Sequence, residues 1–335
     1  MKSISKAFFL ATLVFSFTTG TAQSASELQE TARGYMRQGD YTNAYLVLNR
    51  ASVLEPKNIE ITKDLALNYL FQRKYTQGLE EIKPVLDRDD VDDQCYQLAA
   101  NFYKQLDDNK ECEKLYKKGI KKFPKSGVLY NDFGEFQWEQ KNNEAIKQWE
   151  KGIEVEPNFP KNYYNACKYY YASGGRVWSI LYGETFVNMD PLGKTTPEVK
   201  SIVLESYKRL FAEGDFNKQT KELGKFADAF LQTTKKQVAI ASEGIDPGTL
   251  TMIRTRFILD WYHDYGGKFP NRLFEYHRQL LQEGMFDAYN QWMFGTVQNL
   301  AAYQNWINTH SSDNKEFTTF QRGRIYKIPP GQVYH

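Results

Sequence analysis

The 335-residue chain carries 43 basic and 41 acidic side chains, a formal net charge of +2. Charged residues make up 25% and aromatics 15%, which excludes a disordered polyampholyte and leaves enough apolar surface for a sizeable core. Nucleic-acid binding needs a concentrated basic face, which a balance this even does not suggest, so no nucleic-acid partner is expected.

The first stretch reads as an export signal. Lys2 and Lys6 precede an apolar run from Ala7 to Phe17, and small residues follow, with Gly20 and Ala22 where a signal peptidase reads. That run is too short to cross the roughly 30 Å of a bilayer core as a helix. Residues 1–22 are therefore expected to be removed, leaving a chain without a transmembrane anchor in a periplasmic or extracellular space. Without them the formal charge is zero, because both excess lysines lie there.

From Ala25 to residue 193 one helical pattern recurs five times. The first copy carries Leu28, Ala32, Tyr35, Ala44, Leu48, Ala51 and Pro56. The second, from Ile59, offers Leu65, Ala66, Tyr69, Gly78, Ile82 and Val85, with Asp90 where Pro would close it. The third, from Asp93, has Tyr96, Ala100, Tyr103, Cys112, Tyr116, Gly119 and Pro124. The fourth, from Gly127, has Tyr130, Phe133, Gly134, Ala145, Trp149, Gly152 and Pro157, its second half arriving one residue early. That predicts a deletion near Lys141–Asn143. The fifth, from Pro160, has Tyr163, Cys167, Tyr170, Phe186 and Pro191, but Gly183 where a large residue is usual. Small residues let paired helices approach, large apolar ones fill the groove between them, and Pro ends a helix because it lacks an N–H.

This register resembles the tetratricopeptide repeat (TPR), a 34-residue helix–turn–helix unit. The resemblance covers about half of the chain. It implies a right-handed solenoid of helical hairpins, and with the helical periodicity beyond it the expected fold is all-α, the solenoid followed by a helical C-terminal bundle. It also implies a concave groove lined by the first helix of each unit. On that implication the groove residues are Arg33, Arg37, Lys63, Phe71, Asn101, Lys104, Asn131, Trp138, Tyr164, Lys168 and Tyr171. Aromatics among Lys, Arg and Asn suit an extended peptide or an acidic C-terminus. The carboxylate clamp known in the family is not assembled, since Lys63 is followed by Leu67 and Asn101 is preceded by Gln97. Trp138, Tyr164 and Tyr171 either face the groove or pack against neighbouring helices.

Beyond residue 193 the register is lost, but residues 194–310 still read as helices. Apolar faces run through Val199–Phe211, Leu223–Leu231 and Leu250–Trp261, and a last long one from Phe286 to Trp306. Residues 311–335 show no helical period and are expected to form an irregular tail, either disordered or lying along the bundle.

Three cysteines, Cys95, Cys112 and Cys167, leave at least one thiol unpaired. Buried free thiols packing as small hydrophobes are expected. No Cys/His spacing suggests zinc, and neither cofactor nor metal is expected. Of the four histidines, His263 with Asp264, and His277 one helix on, offer a weak acid–base pairing without nucleophile or orienting group. The tyrosines from Tyr163 to Tyr171 offer a weak site for sugar rings, with only Tyr164 and Tyr171 outside core positions. The expected function is a non-enzymatic protein–protein interaction scaffold that binds a peptide or protein in the concave groove, with an envelope complex as its setting. The alternative is a glycan-binding or enzymatic role in the C-terminal helices.

Overall fold

The computed structural model describes residues 23–214, 216 and 224–334, and every regular element among them is helical. The export-signal reading falls on residues 1–22, outside the described residues. The chain packs as two compact units that meet in sequence at Asp107 and Asp108.

The first unit holds α1 (Ala25–Arg37), α2 (Tyr41–Leu54), α3 (Ile59–Phe71), α4 (Tyr75–Ile82) and α5 (Asp93–Gln105). Its helices start where short polar side chains satisfy free backbone donors. Ser24 and Glu27 form a reciprocal capping box on α1, and Asp40, Asn58 and Asp92 cap α2, α3 and α5. Leu28, Ala32, Leu48, Ala51, Ile61 and Leu65 form one buried cluster. Helix α4 passes into a 3₁₀ turn, Lys83–Val85, where Pro84 supplies no N–H. Asp90 stands in place of the closing proline and binds Arg88, whose guanidinium also donates to the Lys57 carbonyl at 2.7 Å.

One backbone feature states the repeat directly. Left-handed residues occur at Gly39, Arg73, Asp107, Lys141 and Gly174, at intervals of 34, 34, 34 and 33 residues. Each ends the first helix of a unit. The short interval places the missing residue between Lys141 and Ala145, where the next helix, α8 (Ala145–Val155), begins, as the early Ala145 predicts.

The second unit opens with α6 (Asn109–Lys122) and the hairpins α7 (Gly127–Glu139) with α8 (Ala145–Val155), and α9 (Pro160–Ser173) with α10 (Arg176–Met189). Helix α11 (Thr196–Glu213) packs on both α9 and α10. Next come α12 (Gly224–Lys235), α13 (Val238–Ala241), α14 (Pro247–Asp264), α15 (Arg272–Gln282) and α16 (Phe286–Asn290). One buried core runs from Ala145 to Ile328, so residues 193 and 194 mark no break in packing. Helix α10 is buried on every side from Arg176 to Asn188, because α9, α11, α12 and α15 all touch it. Gly183 permits this enclosure: a Cβ there would lie 2.6 Å from Val203 and 2.8 Å from the Cys167 sulfur.

Two expectations for the C-terminal part are corrected. The stretch from Phe286 to Trp306 is not one helix. It divides into α16, a π-helical turn at Gln291–Gly295, α17 (Thr296–Gln298) and α18 (Leu300–Thr309). Asn299 is extended and caps α18 through the Ala302 N–H at 3.1 Å, which breaks the run. The irregular tail also contains a helix, α19 (Ser311–Arg322). Only Phe317 of that helix is buried, so no apolar stripe marks it in the sequence. Residues 324–334 are non-helical and lie along the bundle.

Candidate functional site

In the second unit α7, α9 and α11 lie side by side, tied at the repeat interval. Asn165 donates to the Asn131 side-chain oxygen at 2.9 Å, 34 residues away. Tyr164 donates to Glu198 at 2.9 Å, again 34 residues away. Helix α11 therefore takes the place of a sixth first helix. Gly134 leaves room for Trp149, whose ring nitrogen would sit 2.4 Å from any Cβ there. That nitrogen instead donates to the Asn131 carbonyl at 3.2 Å. Buried Trp149 in turn backs exposed Trp138 and half-buried Tyr169, which meet edge to face at 5.4 Å between ring centroids.

These side chains bound a groove of about 890 Å³. Trp138, Tyr169 and Tyr171 form an aromatic wall from α7 and α9, while Ile202, Glu205 and Lys208 face it from α11. Lys168 is held by Glu198 at 3.1 Å and by the Tyr164 hydroxyl at 3.1 Å. The hydrogen bond to Tyr164, reinforced by Glu198, lifts the Lys168 ammonium above its ordinary range. Burial works against the Glu198 carboxylate, but its bonds to Lys168 and Tyr164 outweigh that and hold it below the ordinary range. Glu205 pairs with Arg209 at 3.0 Å, and Arg209 covers the Tyr171 ring at 5.0 Å. Lys208 has no carboxylate partner among the described residues.

Of the groove residues expected from sequence, Trp138, Lys168 and Tyr171 line this groove, and Tyr164 orients Lys168 at its edge. Asn131 is fully buried, binding Asp132 and Glu135 beneath the wall, so it serves as support. In the first unit Arg33 pairs with Asp64 at 2.8 Å and Arg37 with Glu30 at 3.1 Å. Lys63 is 7% exposed and bound to Asp92 and Glu60, so it is not a free groove cation. Burial of the two helix faces forces that pairing, since an ammonium left alone there would be costly. Phe71 is exposed and stacks on Tyr41, Asn101 is exposed, and Lys104 is half-buried. Sequence reasoning missed Ile202, Glu205 and Lys208. The 34-residue offset from Tyr164 to Glu198 was the available signal.

The remaining titratable groups are placed otherwise. Glu184 of α10 accepts from His277 at 2.8 Å and Tyr289 at 2.7 Å and forms an ion pair with Arg254, all fully buried. Burial penalises the Glu184 charge, but Arg254 and His277 overcome it and bring its carboxyl down to about 2. Burial, with Arg254, pushes His277 below its ordinary value. His263 is exposed and bonds only its neighbour Asp264, so the two histidines share no site. Tyr163 and Tyr170 pack inward, as their repeat positions require. Cys95, Cys112 and Cys167 are all buried, and Cys167 donates to the Ser179 carbonyl at 3.3 Å. Among the described residues no cluster suited to a metal ion occurs, and no helix is long and apolar enough to cross a membrane.

Helical hairpins repeating at 34 residues, with small residues at the crossings and a groove on the first-helix face, define a TPR-type helical-repeat protein. No family model matches the chain, and no curated protein sequence matches it. Solved structures similar to it include PilF of Pseudomonas aeruginosa, at 15% identity over 62% of this chain and 96% of that one, TM-score 0.47. A tetratricopeptide repeat protein from Parabacteroides merdae is similar at 16% identity over 78% of this chain and 100% of that one, TM-score 0.43. A TPR protein from Thermus thermophilus is similar at 14% identity over 55% and 99%, TM-score 0.44. Likeness at this level concerns the helical fold and says nothing of partners.

Proposed function

We propose that the protein is a non-enzymatic interaction scaffold that binds an extended segment of a protein partner in the groove between α7, α9 and α11. The observation that carries this is the groove's composition: an aromatic wall, with Trp138 exposed and Tyr169 and Tyr171 half-buried, facing a lysine without an ion-pair partner among the described residues. Trp138, Tyr169 and Tyr171 offer area for an aromatic or aliphatic anchor at small entropy cost. Lys208 offers a charge for a carboxylate on the same segment. The Lys2, Lys6 and Ala7–Phe17 pattern supports work after export, within an envelope complex or outside the cell.

The test is an immobilised peptide array probed with the protein and with Trp138→Ala and Lys208→Ala variants. Peptides pairing an apolar residue with a nearby acid should bind, and each variant should weaken them about tenfold, roughly 1.4 kcal/mol. Equal binding by all three proteins would refute the groove. N-terminal sequencing of the protein from fractionated cells tests export, and a retained Met1 would refute it.

A further inference from the structure

Residues 324–334 are held as a bound peptide is held. The side chains alternate: Tyr326 and Ile328 point inward, whereas Ile325, 80% exposed, and Lys327 point out. No described strand pairs with this segment, and side chains grip its backbone instead. Asn158, in the turn between α8 and α9, accepts from the Ile328 N–H at 2.8 Å and donates to the Ile328 carbonyl at 3.1 Å. Arg272 donates from its side chain to the Lys327 carbonyl at 3.2 Å and from its backbone to the Gln332 side chain at 2.6 Å. At the far end the Tyr334 ring stacks on Phe226, centroids 4.5 Å apart, and its hydroxyl donates to the Pro270 carbonyl at 2.6 Å.

A carboxamide that meets both polar groups of one residue reads an extended backbone whatever its side chain, while pockets at alternate positions read the sequence. Pro329 and Pro330 fix the backbone ahead of the turn at Gly331, whose φ is +84°, and so lower the ordering cost of the segment. The fit is also incomplete, because the buried Tyr326 hydroxyl has no hydrogen-bond partner among the described residues. Leaving the cleft would return that hydroxyl to water.

We propose that the cleft between Asn158, Arg272 and Phe226 is a second peptide-binding site, occupied in cis by Arg324–Tyr334 and open in trans to the same segment of a second copy. Its ligand class is a short extended stretch with bulky side chains at alternating positions, followed by a Pro-Pro-Gly turn. It differs from the α7–α9–α11 groove in lining and ligand, so either site stands without the other.

The experiment uses the full chain carrying Tyr326→Ala and Tyr334→Ala, which weakens its own segment, and a fluorescent synthetic peptide of residues 324–334 as probe. Circular dichroism and melting establish that the variant is folded. Saturable binding in the micromolar range is expected, weakened at least about tenfold when Asn158→Ala is added. A folded variant that binds no peptide, or binds it regardless of Asn158, overturns the proposal. Should the variant unfold, hydrogen exchange on the unaltered chain decides. Exchange at the Ile328 amide well ahead of the α10 core supports a releasable segment, and exchange only with global unfolding overturns it.

Discussion

Tyr164 and Glu198 stand 34 residues apart in the chain and 2.9 Å apart in space. The bond extends the repeat array by one helix past the last recognisable unit and makes α11 the far wall of the groove. It also gives Glu198 the task of neutralising Lys168. Glu198→Gln should therefore leave Lys168 available to a ligand carboxylate. The expected result is a several-fold gain in affinity for acidic peptides, with little loss of stability because the pair is half exposed. Fluorescence polarisation against acidic peptides and their amide counterparts checks this. An equal gain for both sets would remove the electrostatic explanation.

The buried cluster on α10 predicts acid sensitivity. Glu184→Gln would leave Arg254 charged and unpaired in a dry site, at a cost of about 3–5 kcal/mol. Replacing the pair together by Glu184→Leu and Arg254→Met should cost much less. The pH dependence has a defined sign. The Glu184 carboxyl lies near 2 when folded against an ordinary 4.5, so its contribution is complete above about 4.5 and lost as pH falls toward 2. His277 acts in the same direction from below its ordinary 6.5, because the unfolded chain takes up the proton first. Urea titrations between about pH 7 and 4 should show falling stability, and Glu184→Gln should flatten the lower part of that fall. A parallel curve for the variant would contradict the assignment.

The helix–turn–helix register and its turn deletion were legible because small residues and prolines repeat at a fixed interval, and Gly39, Arg73, Asp107, Lys141 and Gly174 keep that interval in the backbone. Trp138, Lys168 and Tyr171 were legible through the same register. Lys208 was not, since α11 lacks a closing proline, and both its neighbours α10 and α9 bury residues that would otherwise form a one-sided stripe. Lys63 and Asn131 were misplaced for a related reason. Register gives the face of a helix that a residue occupies, but not whether the adjacent helix closes over it. Helix α19 went unread because one buried residue, Phe317, makes no period.

Gly183 tests how tightly α10 is enclosed. Gly183→Ala improves intrinsic helix propensity by about 1 kcal/mol. The added Cβ would press on Val203 and on the Cys167 sulfur, and neither can withdraw from a filled core. Overpacking of this kind costs about 1–3 kcal/mol. A net loss of stability is therefore expected, measured as a lower urea midpoint with an unchanged slope. Pairing the change with Val203→Ala should recover part of it. A stabilised single variant would mean that α10 and α11 can separate without cost.

Lys200 gives a prediction of opposite sign. It sits at 7% exposure against the π-helical turn, with its ammonium 3.6 Å from the centre of the Trp292 ring and 2.7 Å from the Trp292 carbonyl. No carboxylate meets it among the described residues, and burial lowers its pKa from 10.5 to about 7. Between those two values the unfolded chain holds the proton and the folded chain releases it, so stability rises with pH across that range. The penalty is complete below about pH 7 and gone above about 10.5. Lys200→Met keeps the stem's packing, removes the charge and gives up one hydrogen bond worth about 1 kcal/mol. At neutral pH the exchange should stabilise the protein by roughly 1–3 kcal/mol, as replacing an ill-paired buried charge by an apolar side chain often does. The advantage should shrink as pH rises and reverse near pH 10, where the native lysine is neutral and still donates to Trp292. Urea titrations of both proteins at about pH 7 and pH 9.5 read this directly. A stability difference that stays constant between the two would show that Lys200 keeps its proton in the folded chain.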